Sequence, residues 1–184
     1  MLFRSRIGST GNAVTSQGVR GFKSHLFRQT MQTVSWNDFA TAQPRLAAAI
    51  AARFTAHPHH IIATLRADGS PRLGGTNVFI TDEVRIGSMP RARRVDDLRR
   101  DPRCSLHSAP LDEAVADGDA KLDCTAMEMS IADTKGWLAS TGHPTGEGVG
   151  FVLLIRAAIL TTVADGQLII ESWSPTLGAR TVLR

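Results

Sequence analysis

From Trp36 onward, apolar residues recur at helical spacing: Phe39, Leu46, Ala49, Ile50 and Phe54 fall three, four or seven positions apart. Ser35 or Asn37 suits the N-cap of that helix, and Pro44 predicts a bend within it. The period then changes. In HHIIATLRADGSPRLGGTNVFITDEVRIGSM, β-rich runs are separated by ADGSP and TDE, turn chemistry that predicts a three-strand antiparallel meander. Val95 and Leu98, three apart, predict a short helix in RARRVDDLRRDP, with Pro102 enforcing its end. RCSLHSA reads as a fourth strand, and AKLDCTAMEMS as another whose apolar residues are Leu122, Cys124, Ala126 and Met129. IADTKGWLAS gives two helical turns, and TGHPTGEGVG, which contains His143, gives a long loop. FVLLIRAAILTTV, the turn ADG and QLIIESW form a closing hairpin. Six or seven antiparallel strands without βαβ alternation or repeats predict a mainly β, α+β barrel with short peripheral helices.

One domain is the expectation for 184 residues of which 42% are apolar and 21% charged. No run approaches the roughly 20 apolar residues of a membrane helix, so a soluble protein is expected. Cys104 and Cys124 are too few for a disulfide framework or a structural zinc site; buried free thiols in a reducing cytoplasm are expected. Residues 1–34 hold no acid and no continuous apolar stretch of the secretory kind. They are expected to form a disordered or non-native extension, a leader or misplaced start, outside a domain spanning 35–184.

A net charge of +4 and a pI near 9.8 invite a nucleic-acid partner until the distribution is read. Residues 1 to 36 carry five of the 21 basic residues and no acid, which leaves 16 basic against all 17 acidic residues. The body is nearly neutral, unlike a surface built to neutralise many phosphates. Within it, MPRARRVDDLRRDPR (residues 89–103) concentrates six arginines and three aspartates. On a helix starting near Ala92, Arg93 and Arg94 fall in the first turn, where free N–H groups and the dipole favour an anion. Guanidinium groups there can grip a phosphate, or simply form a charged helix face. Arg99, Arg100 and Arg103 lie at the far end, placed to complement the dipole and to pair with Asp96 and Asp97.

Gly74 and Gly75 inside a strand pattern indicate a bulge or close approach of a ligand to the backbone. His57, His59 and His60 in HPHH lack carboxylate or thiol partners at ligand spacing, so a helix-to-strand junction accounts for them better than a metal site. His107 follows the arginine helix on a strand and is a candidate ligand-facing residue. No P-loop, nucleophile elbow or dinucleotide fingerprint is present.

IATLRADGSPRL, VRIGSM, RARRVDDLRRDPRCSLH, GDAKLDCTAMEM and the closing LIIESWSP, in this order, resemble the pyridoxamine 5′-phosphate oxidase-like FMN-binding split-barrel family across about residues 36–184. The resemblance implies a six-stranded antiparallel split barrel, usually a homodimer with two cofactor sites at the subunit interface. A segment after the third strand, often Ser-Arg-Lys, grips the flavin phosphate in that family. Here Ala92-Arg93-Arg94 stands in its place, which gives Arg93 and Arg94, with Arg91 beside them, the cationic roles. The resemblance also implies that Thr76, Asn77, Gly87 and Ser88 meet the ring system. His107 would approach the partner subunit's site, and Trp173 matches a late tryptophan of the family. Gly74 stands where the vitamin oxidase carries a phosphate-binding arginine, and its Arg-x-His substrate motif is absent, so that particular activity is not implied. The expectation is an FMN-dependent oxidoreductase acting on a small organic substrate without nucleic-acid or membrane partners. The deazaflavin coenzyme F-420, haem, or binding without turnover are the alternatives.

Overall fold

The computed structural model of the chain describes residues 32–109, 118–142 and 147–184. His143, most of the acidic loop at 111–119 and most of the N-terminal extension lie outside the described residues. The first helix, α1 (Trp36–Ala42), is capped by Ser35, whose Oγ accepts the Asp38 N–H at 3.0 Å. The Asp38 carboxylate in turn accepts the Ser35 N–H, which completes a reciprocal capping box. The predicted bend is a full break: Gln43 leaves helical geometry and Pro44, lacking an N–H, restarts the chain as the first residue of α2 (Pro44–Thr55). Together the two helices bury Trp36, Phe39, Leu46, Ala47, Ile50 and Phe54 against the sheet.

The strands are β1 (His60–Leu65), β2 (Pro71–Thr76), β3 (Val78–Ile80), β4 (Val84–Ser88), β5 (Arg103–His107), β6 (Asp119–Glu128), β7 (Val149–Ala164), β8 (Gln167–Ser174) and β9 (Gly178–Leu183). Helix α3 (Arg93–Arg100) connects β4 to β5, and α4 (Ile131–Ser140) connects β6 to β7. The class is as expected, mainly antiparallel β with short helices, but nine strands are described where six were expected. Two departures account for most of the difference. The middle run of the expected meander breaks at Asn77 into β2 and β3, and β9 adds a strand that pairs with β8.

That break opens the barrel. Strand order runs β2-β1-β5-β6-β7-β4-β3, so β1 and β2 pair but β2 and β4 do not, and the three-strand meander is not formed. The two ends of the path, β2 and β3, are joined in sequence through Asn77 alone, and no ladder pairs them. Long β7 pairs with β6 along one edge. Its other edge is shared by β4 at Val149–Leu153 and β8 at Ala158–Ala164, with Val34 bonded to Ile155 in the gap.

Inside the barrel lie Ile62, Val84, Ile86, Leu106, Leu122, Phe151, Leu153 and Ile155, closed off by Ile50 and Phe54 of α2 and Val95 and Leu98 of α3. Cys104 and Cys124 face each other across β5 and β6 as buried free thiols. Burial pushes the Cys104 thiol up to about 12, so it stays protonated and unreactive. No helix among the described residues is long and apolar enough to cross a membrane.

Candidate functional site

Helix α3 carries the arginine stretch and differs sharply between its ends. Its N-cap is Ala92, which offers no side-chain acceptor, so the first-turn N–H groups of Arg93 and Arg94 are left without a cap. Arg94 folds back over β2 and donates through Nη2 to the Gly75 carbonyl at 2.7 Å. Its other terminal nitrogen, Nη1, is buried without a hydrogen-bond partner, and so is Ser88 Oγ on β4. Burial also lowers the Arg94 pKa. The C-terminal half is saturated instead. Buried Asp97 accepts hydrogen bonds from Thr64 Oγ1 at 2.9 Å, Arg72 Nε at 2.5 Å and Arg100 Nη2 at 3.1 Å. Burial opposes the charge, yet these donors hold the carboxyl down to about 2.

Arg94 and Ser88 line a cavity of about 560 Å3, within the range of roughly 300–1,000 Å3 seen for small-molecule sites. Gly75, Thr76 and Asn77 at the β2–β3 break form one wall; Gly87 and Ser88 of β4, with Met89 just after it, form another. The third wall is apolar. Trp137 and Leu138 of α4 close it, with Trp137 set edge-on to Phe79 at a centroid separation of 5.3 Å. Gly87 lies under this cover, its Cβ position 3.6 Å from the Trp137 ring, an ordinary packing distance. A smaller cavity of about 190 Å3 adjoins it through Ala92 and Arg94 and is lined by Arg72, Leu73, Gly74 and Arg93.

Of the candidate residues, Thr76, Asn77, Gly87, Ser88 and Arg94 therefore converge on one cavity, whereas Arg93 faces the smaller one. Arg91 is exposed and lines neither. His107 stands on β5 with Nδ1 2.6 Å from its neighbour's carbonyl, outside both cavities. Trp173 is buried against Phe39, ring centroids 5.0 Å apart, in the core beneath α1. The far-end arginines pair differently from the spacing expectation. Arg100 does reach Asp97, but Arg99 binds Glu128 on β6 at 2.6 Å and Arg103 binds Asp101, because β6 brings a carboxylate nearer than Asp96.

Two residues of HPHH separate in the way strand geometry requires. His60 points inward, where Nε2 donates to the Phe54 carbonyl at 3.0 Å and Nδ1 accepts the Ala109 N–H at 3.1 Å. Burial lowers its pKa, so it serves the core as a neutral ring. His59 points outward and lines the cavity, with Nδ1 2.8 Å from Asn77 Oδ1.

No protein-family model matches the sequence, and comparison with curated proteins finds no match. Solved structures do match. PhzG from Burkholderia lata 383 in complex with tetrahydrophenazine-1-carboxylic acid superposes with a TM-score of 0.59 at 13% identity, over 88% of this chain and 98% of that one. ChuZ of Campylobacter jejuni gives 0.57 at 11% identity, over 73% and 61%. A Clostridium acetobutylicum protein related to general stress protein 26, of the pyridoxinephosphate oxidase family, gives 0.53 at 11% identity, over 71% and 94%. The fold is that of the pyridoxamine 5′-phosphate oxidase-like proteins. At these identities the likeness is one of fold, and in a split barrel of this kind the site must be argued from its own residues.

Several residues of the cavity lining were missed from sequence. Phe79, Trp137 and His59 all line the cavity, and each had a sufficient local explanation as a strand apolar residue, a helix apolar residue or a junction histidine. Only the packing of α4 over β4 and the break at Asn77 bring them together.

Proposed function

We propose that this chain binds FMN in the cavity between the β2–β3 break, β4, α3 and α4, and acts as a flavin-dependent oxidoreductase on a small organic substrate. The observation that carries this is the pair of buried, unpartnered groups, Arg94 Nη1 and Ser88 Oγ, beside the uncapped first turn of α3. Leaving buried donors unpaired costs about 1–3 kcal/mol each, and a phosphate offers the acceptors they lack. Arg94 also answers the glycine on β2: its Nη2 lies 3.8 Å from where a Gly74 side chain would begin, so α3 supplies a guanidinium over the position where a β2 arginine would start.

Beyond the phosphate end, the apolar wall of Phe79, Trp137 and Leu138 faces the glycine-rich backbone of Gly75 and Gly87, a slot suited to a flat ring. Bound there, FMN supplies two-electron hydride chemistry. The chain's own part is to hold the phosphate with Arg94 and Ser88, seat the ring against α4 and keep water from its covered face. His59, Arg94 and Glu147 are the ionisable residues described in the lining, few for acid–base catalysis and enough for a cofactor-centred reaction.

A homodimer belongs to the same proposal. Ile61 and Leu73 are 42% and 71% exposed on the outward face of β1 and β2, and His107 is the register partner of Ile61 on that face. An aliphatic sheet face of this kind suits a second copy, which would bring His107 to the interface. A second cofactor is favoured by a specific feature: Arg91 and Arg93 are exposed and have no ion-pair partner among the described residues, which suits the longer anionic tail of the deazaflavin F-420.

The test is an absorbance titration of purified protein with FMN, F-420 and haem, with light scattering on the same sample. Saturable FMN binding by a dimer is expected. Preference for F-420 would move the site to the second cofactor, and saturation by haem alone or by none would overturn the proposal.

A further inference from the structure

Resting on the FMN reading of the cavity, we infer that His59 is a ligand-recognition residue that accepts a hydrogen bond from a heterocyclic imide N–H, and that Asn77 positions it. Asn77 Oδ1 can only accept, so the His59 nitrogen 2.8 Å away, Nδ1, must be the donor. A neutral imidazole carries one ring proton; placing it on Nδ1 leaves Nε2 with a lone pair. That Nε2 has no hydrogen bond among the described residues, and both residues line the cavity. The next histidine shows the contrast, because His60 has both ring nitrogens satisfied within the core.

The placement fits a ring edge and not the phosphate. Asn77 follows Gly75, the residue that Arg94 contacts, by two positions, which along an extended chain is about 7 Å. One end of the cavity thus presents donors, Arg94 Nη1 and Ser88 Oγ, and the other presents an acceptor. The flavin ring system carries an imide N–H on its pyrimidine portion, the complementary donor. Asn77 acts through His59 by fixing its tautomer, in the manner of an outer residue that orients a ligand-binding imidazole.

The experiment compares FMN with N3-methyl-FMN, which lacks the imide proton, by fluorescence titration of wild type, His59→Phe and His59→Gln. Wild type should bind FMN roughly tenfold tighter than the methylated analogue, the worth of one neutral hydrogen bond. His59→Phe should lose about the same factor for FMN and discriminate little, while His59→Gln, which retains an acceptor, should recover part of it. Nitrogen-15 NMR of the histidine rings should show His59 protonated at Nδ1 in wild type and a tautomer mixture in Asn77→Ala. If His59→Phe discriminates as well as wild type, or His59 is protonated at Nε2, the inference is overturned while the FMN site stands. If wild type binds neither flavin, both fall together.

Discussion

At the C-terminal end of α3, Arg100 and Asp97 are locked into a network with Arg72 and Thr64, and Arg99 is tied to β6. At the N-terminal end of the same helix, Arg94 has one buried nitrogen unpaired beside an unpaired Ser88 hydroxyl, and the helix has no cap. Both ends are arginine-rich, so composition does not separate them; hydrogen-bond satisfaction does. A saturated network stabilises the chain as it is, and an unsaturated one stores a cost that a ligand can relieve.

Asp97→Ala should have the largest effect on stability. Removing the carboxylate strands two guanidinium groups and should cost about 2–4 kcal/mol in denaturant unfolding, somewhat less than the roughly 3–5 kcal/mol of a fully buried pair, because both arginines still reach water. The acid side sharpens the same point. A carboxyl depressed from 3.8 to about 2 stabilises the fold above its ordinary value, and that stability is lost as the pH falls toward 2. The acid-unfolding midpoint of Asp97→Asn should therefore lie at higher pH than that of wild type. His60 adds a step nearer neutrality. Its lowered pKa gives stability that is present above 6.5 and lost as the pH falls below it, and His60→Gln should flatten that slope.

Arg94→Ala should act in the opposite sense. FMN affinity should fall by about 1.5–3 kcal/mol, on the order of 10- to 150-fold, while unfolding of the ligand-free protein changes by less than about 1 kcal/mol. A large loss of ligand-free stability would place Arg94 with the structural end. Ser88→Ala should weaken FMN by roughly 1 kcal/mol, read in the same titration. Arg99→Ala, at the exposed pair with Glu128, should leave both unfolding and FMN affinity unchanged within error.

Much of this was legible locally. Ser35 announced the helix start, Pro102 the end of α3, and the ADGSP turn the β1–β2 hairpin. Arg94 could be named from its place in the first turn of α3, and Thr76, Asn77, Gly87 and Ser88 because a family resemblance assigned them. The break at Asn77 was not legible, since LGGTNVFI contains no proline and the only irregularity it signals is at Gly74 and Gly75. The bond from Arg72 to Asp97 joins residues 25 apart, and no local rule reaches that far. Arg99 was assigned to its own helix because spacing sees only neighbours, whereas β6 supplied a better carboxylate. Trp173 shows the converse: family position alone pointed to a ligand, and its ring packs on Phe39.

The proposed phosphate contacts of Arg94 and Ser88 are read out by the ratio of affinities for FMN and riboflavin, which differ only in that group. Wild type should prefer FMN by at least tenfold, and Arg94→Ala should lower that ratio at least tenfold, leaving at most the several-fold share of Ser88. Equal binding of the two by wild type, or a preference undiminished in Arg94→Ala, would contradict the phosphate assignment.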